Sequence, residues 1–90
     1  MKTTTTTTPP PHNMKITPSD YIELETLLAP LASSYRQAVI DRPYHTPMRL
    51  RWDLLWSLPY ADRAGWFDRV YKYANDTHID TALRSIVSKF

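Results

Sequence analysis

Apolar residues recur at helical spacing along nearly the whole chain after Ile16. Tyr21, Leu24 and Leu28 form a first stripe. Pro30 interrupts it, because proline removes a donor and clashes with the preceding turn, so a kink or break is predicted there. Leu31, Tyr35, Ala38 and Val39 resume the pattern until Asp41-Arg42-Pro43 ends it. Met48 to Leu58 is apolar almost all round. From about Ala61 to Ala74, Trp66, Phe67, Val70, Tyr71 and Ala74 make one stripe, with Asp62, Asp68, Arg69 and Lys72 opposite. Ile79, Ala82, Leu83, Ile86, Val87 and Phe90 make the last. No segment shows a period of two. The pattern predicts an all-α chain, a compact bundle of about four or five short helices.

Start and stop signals agree with these stripes. Thr17, Pro18 and Asp20 stand where an N-cap, an N1 proline and an N3 carboxylate belong. Thr46-Pro47 repeats the signal, and Ser57-Leu58-Pro59 closes that helix. Thr77 with Asp80 is the expected cap of the last helix, and Asp76 competes with it. Gly65 costs a helix about 1 kcal/mol against alanine. Its expected compensation is the close approach of another backbone, under a tryptophan.

The helix from Pro47 carries the most unusual pattern. At about 100° per residue, Arg49, Asp53 and Ser57 share one polar sector. Met48, Leu50, Trp52, Leu54, Leu55, Trp56 and Leu58 fill the rest, and Arg51 lands among them. A buried guanidinium must be paired. The expected arrangement is a structural ion pair of Arg51 with Asp80 or Asp76. The competing expectation puts Arg51 on a functional surface. Trp52 and Trp56 read first as core, although so small a core cannot cover every face of this helix. An uncovered tryptophan would serve as an interface anchor.

Composition sets the limits. Ninety residues with 42% hydrophobic positions, three Trp and six Tyr suffice for one domain. Residues 1–13, a threonine run from Thr3 to Thr8 followed by Pro9-Pro10-Pro11, cannot bury a face. They are expected to be a disordered tail before a single helical domain over 14–90. Met14-Lys15 repeats the Met1-Lys2 start and is read as a possible second start. A proline-rich ligand for a partner is the functional alternative for the tail. The formal charge of +2 is too balanced to announce a polyanion. There is no cysteine for a disulfide or thiolate site. No apolar run is long enough for a membrane span, and no apolar leader opens the chain, so a cytoplasmic location is expected.

Catalytic chemistry finds no support. His12, His45 and His78 form no metal-ligand spacing, and the single Gly65 makes no phosphate loop. We expect no enzyme activity, no cofactor and no metal. Two classes of binding function remain. One is protein docking by exposed aromatic and arginine residues, with Tyr44, Arg49, Trp56, Tyr60 and Arg63 as candidates at the two ends of the central helix. A homodimer is compatible with it. The alternative is a small helical DNA-binding regulator. Its recognition helix would offer Thr77, His78, Thr81, Arg84, Ser85, Ser88 and Lys89, with Asp80 against it.

The blocks Arg51-Trp52-Asp53-Leu54-Leu55-Trp56 and His78-Ile79-Asp80-Thr81-Ala82-Leu83-Arg84, with Met14-Lys15-Ile16-Thr17-Pro18-Ser19-Asp20-Tyr21, carry a resemblance. The chain from Met14 onward resembles a group of small uncharacterised proteins of phages, prophages and other bacterial mobile elements. The group supplies no site residues. The resemblance implies a setting inside a bacterial host and a role in binding host or phage machinery. Anti-CRISPR-like inhibitors of host defence are one such class.

Overall fold

Thr17 takes extended backbone angles and its hydroxyl accepts from the Asp20 amide, while the Asp20 carboxylate accepts from the Thr17 amide. This reciprocal cap opens α1, Pro18–Leu28. The computed structural model describes residues 16–90; the expected tail over 1–13 and the second start at Met14 lie outside them. Pro30 breaks the first stripe as predicted. A single 3-10 turn, Ala29–Leu31, separates α1 from α2, Ala32–Asp41. Thr46 then caps α3, Pro47–Trp56, by accepting from the Arg49 amide. Two further helices follow, α4 at Tyr60–Arg69 and α5 at Asp76–Val87. Among the described residues there is no strand, and the architecture is all-α.

The helices close around one core. Leu24 and Leu28 of α1, Leu54 and Leu55 of α3, Trp66 of α4, and Ile79, Leu83 and Ile86 of α5 meet there, joined by Ile16, Leu58 and Val70. α5 packs on α3 and on α1, while α2 lies on the other flank of α3. α2 buries no residue of its own. Arg36 ties it to the far end of the chain by donating to the Phe90 carbonyl oxygen.

Three local expectations are corrected. The fourth helix ends at Arg69 rather than near Ala74, and turns bonded from the Tyr73 amide to the Val70 carbonyl replace its last part. Its apolar stripe splits accordingly. Trp66 and Val70 enter the core, whereas Phe67 is half-buried and Tyr71 exposed. The last helix is capped by Asn75, not by Thr77 or Asp76. The Asn75 side chain accepts from the His78 amide at 2.9 Å, with the His78 ring bonded in return to the Asn75 amide. Starting the helix there leaves Asp80 free of capping duty. Gly65 has no close approach to protect, since a Cβ at that position would meet nothing within 4 Å.

Candidate interaction surface

Arg51 turns inward from α3. Its Nε and Nη2 donate to the two carboxylate oxygens of Asp80 at 3.0 and 3.1 Å. The two side chains are only 11% and 18% exposed. A two-pronged pair of this kind binds α3 to α5 with orientation as well as charge. Of the two expected carboxylates, Asp80 is therefore the partner. Asp76 accepts instead from the Tyr71 hydroxyl at 2.5 Å. The Arg51 guanidinium therefore lies between α3 and α5, off the exposed surface.

The outer side of α3 carries Arg49, Asp53 and Trp56. Asp53 accepts from Arg42 at 3.1 Å and pairs with Arg49 at 3.5 Å. Trp52 is half-buried against the core, whereas Trp56 is 52% exposed. It is Trp56 that the core fails to cover. Its ring stands edge-on to Phe67 at 5.3 Å, and Phe67 is 5.0 Å from Tyr71. Tyr71 in turn meets Trp52 edge-on at 6.4 Å. These spacings are those of favourable aromatic pairs, so α3 and α4 together present a continuous aromatic row.

Arg63 and Tyr60 extend the row at its α4 end. The Arg63 guanidinium lies 4.6 Å over the Trp56 ring and 5.5 Å from that of Tyr60, which is 75% exposed. Arg63 also donates to the Trp56 carbonyl oxygen at 2.7 Å. That oxygen is among the last of α3 and has no partner within the helix, so the cation satisfies it and complements the helix dipole. The same contacts fix the Trp56 ring. A shallow hollow of about 440 Å³ lies between Trp56, Tyr60, Arg63, Phe67, Asp68 and Lys72.

The five candidates from sequence fall into two separate places. Trp56, Tyr60 and Arg63 come together at the C-terminal end of α3. Tyr44 and Arg49 line another hollow at its N-terminal end, with His45 and Thr46. There Tyr44 is 81% exposed and packs against the His45 ring at 5.1 Å. Sequence reasoning missed Phe67, Tyr71 and Lys72. Tyr60, Arg63, Phe67 and Tyr71 follow one another at intervals of three and four along the chain, which puts them on one helical face. That signal was present, but assigning Phe67 and Tyr71 to the core hid it.

Electrostatically the surface is mixed. With Lys2 and Lys15 outside the described residues, the body carries as many anions as cations. The Tyr71 hydroxyl is held above its ordinary pKa of 10.0, first by its hydrogen bond to the Asp76 carboxylate, then by burial and the carboxylate's charge. No group of three or more His, Asp or Glu among the described residues is placed to hold a metal ion. No described helix is long and apolar enough to cross a membrane. On α5, Thr77, Thr81, Arg84 and Ser85 are exposed, as is Ser88 just past its end. The connection between α4 and α5 spans residues 70–75, longer than the turn of about three or four residues in a helix-turn-helix. Comparison of the chain with protein-family models, curated proteins and solved structures gives no match.

Proposed function

We propose that this chain is a non-enzymatic helical interaction protein of phage or mobile-element type, which docks its aromatic row on a protein partner in a bacterial cell. The observation that carries this reading is the exposure of Trp56 and Tyr60 beside Phe67 and Arg63. Trp, Tyr and Arg dominate the energetics of protein interfaces. Here Phe67 and Arg63 pack against the Trp56 ring, which lowers the ordering cost of binding through it. Inhibition of a host defence complex, in the manner of anti-CRISPR proteins, is the specific role we assign. The balanced charge of the body disfavours mimicry of DNA and favours steric cover of a protein surface.

The test is affinity capture from the bacterial host, with wild-type and Trp56→Ala/Tyr60→Ala chains of equal thermal stability. Retained protein and nucleic acid are both identified. A protein held by the wild type and lost from the variant supports the reading. Equal retention by both overturns it. The alternative, a DNA-binding regulator, draws on the exposed Arg84 and hydroxyl residues of α5. It requires gel-shift binding at low salt that weakens steeply as salt rises, and insensitivity to Trp56→Ala.

A further inference from the structure

The outer side of α4 matches a second copy of itself. Tyr60, Ala64, Phe67 and Tyr71 follow one another at spacings of four, three and four. Beyond Arg69 the helical ladder continues to Tyr71, whose amide donates to the Phe67 carbonyl oxygen at 3.0 Å. The four residues therefore lie along one stripe, at the seam positions of a two-stranded helix pair. None of them is buried. Tyr60 is 75% and Tyr71 40% exposed, and Ala64 and Phe67 are half-buried. Trp66 and Val70 turn the other way, into the core.

The residues flanking the stripe decide what can cover it. Arg63 stands just before Ala64, on one side, and Asp68 just after Phe67, on the other. Ala61 and Val70, at the remaining flanking positions, carry no charge. Among the described residues neither Arg63 nor Asp68 forms an ion pair. Arg63 gives one N–H to the Trp56 carbonyl oxygen, and a guanidinium has others to offer a carboxylate. In a parallel pair, a flanking residue of this kind faces the opposite flank of the other helix about five positions further on. For Arg63 that position is Asp68 of the second copy, and the two-fold axis makes the pairing reciprocal. An antiparallel pair would set Arg63 against Arg63 and Asp68 against Asp68. A uniformly acidic partner would meet Asp68, and a uniformly basic one Arg63. The shallow hollow fits the same arrangement. Tyr60, Arg63, Ala64 and Phe67 border it, and these are the positions that surround an inserted side chain in such a pair. The side chain entering would be Ala64 of the second copy, small enough for the helices to approach closely.

We propose that the free protein forms a parallel two-fold dimer through α4, closed by reciprocal Arg63–Asp68 pairs. About three turns of helix per copy make a small contact beside the roughly 800 Å² per partner of a standard interface. The dimer therefore exchanges with single chains. Trp56 lies against Phe67 and Arg63, at the edge of this contact, so a foreign partner of the aromatic row competes with the second copy. The dimer is read in the protein alone and does not rest on any such partner.

Sedimentation equilibrium of the full chain from about 1 μM to about 1 mM tests the dimer. The expected weight-average mass rises from that of one chain towards that of two. Asp68 is exposed and unpaired, so Asp68→Arg keeps the fold. It should raise the dissociation constant about tenfold or more, because it sets like charges together. Mixing Asp68→Arg with Arg63→Glu should restore pairing between the two variants, since each supplies the charge that the other lacks. Circular dichroism checks that Arg63→Glu is folded, and Asp68→Arg alone carries the test if it is not. A mass of one chain across the whole range overturns the proposal and leaves the row to a foreign protein. Self-association untouched by Asp68→Arg also overturns it, by placing the contact elsewhere or in antiparallel order. A loss that the mixed, folded variants do not restore overturns the Arg63–Asp68 pairing. Docking of a foreign partner is judged separately, by the capture experiment.

Discussion

Replacing Arg51 by methionine tests how this small bundle is held together. The substitution keeps the apolar stem and removes both charged hydrogen bonds to Asp80. Asp80, 18% exposed, is left without its counter-charge. Losing one member of a largely buried pair costs about 3 kcal/mol or more, consistent with two charge-assisted bonds of about 1.5 kcal/mol or more each. A domain of this length loses about 4–8 °C of Tm per kcal/mol. The expected drop is therefore about 12–24 °C, read by calorimetry or circular dichroism. The companion variant Asp80→Leu should lose a comparable amount. The double variant Arg51→Met/Asp80→Leu should recover most of the loss, because an apolar pair of similar bulk carries no unpaired charge. An unchanged Tm for Arg51→Met, or a double variant whose loss is the sum of the singles, would refute the structural role of the pair.

Gly65→Ala should raise Tm by a few degrees, corresponding to about 0.5–1 kcal/mol, since the helix gains a better former and the added methyl meets nothing within 4 Å; a lower melting point would refute it. Leu55→Ala, at a fully buried core position, should cost about 2–5 kcal/mol in chemical denaturation, with an unchanged denaturant dependence. Trp56→Ala should leave the melting point within a few degrees and abolish partner retention. The raised pKa of Tyr71 gives stability that is fully present below the ordinary 10.0 and is lost as pH rises through the folded-state value. Melts taken from neutral to alkaline pH should show this loss, and Asp76→Asn should flatten the alkaline limb relative to wild type.

Features set by a few neighbouring residues were legible before the structure was known. Thr17 and Thr46 each stand beside an N1 proline, so their capping follows from local geometry alone. Pro30 breaks its helix for the same reason. The cap of α5 was not legible, because Asn75, Asp76 and Thr77 all qualify. The choice is tied to distant demands: Asp80 is needed by Arg51, and Asp76 by Tyr71. The partner of Arg51 was legible as two options, Asp80 and Asp76, both in the last helix. The aromatic row was only half legible. Periodicity groups Trp66 with Phe67 and Val70 with Tyr71, but it cannot say that one of each pair enters the core and the other lies along α3. That division depends on where α4 rests against its neighbours.

α2 buries no side chain of its own, and it is anchored by the Arg36–Phe90 bond and by the Arg42–Asp53 pair. A segment held this way opens at a small fraction of the free energy needed to unfold the whole molecule. Its backbone amides should exchange with solvent deuterium well before those of α3 and α5. Each such opening would uncover Leu50 and Leu54, which line the cleft beneath α2. The bundle thus carries a second apolar face that exists only for the lifetime of a local excursion, and sticking between molecules under mild destabilisation should begin there.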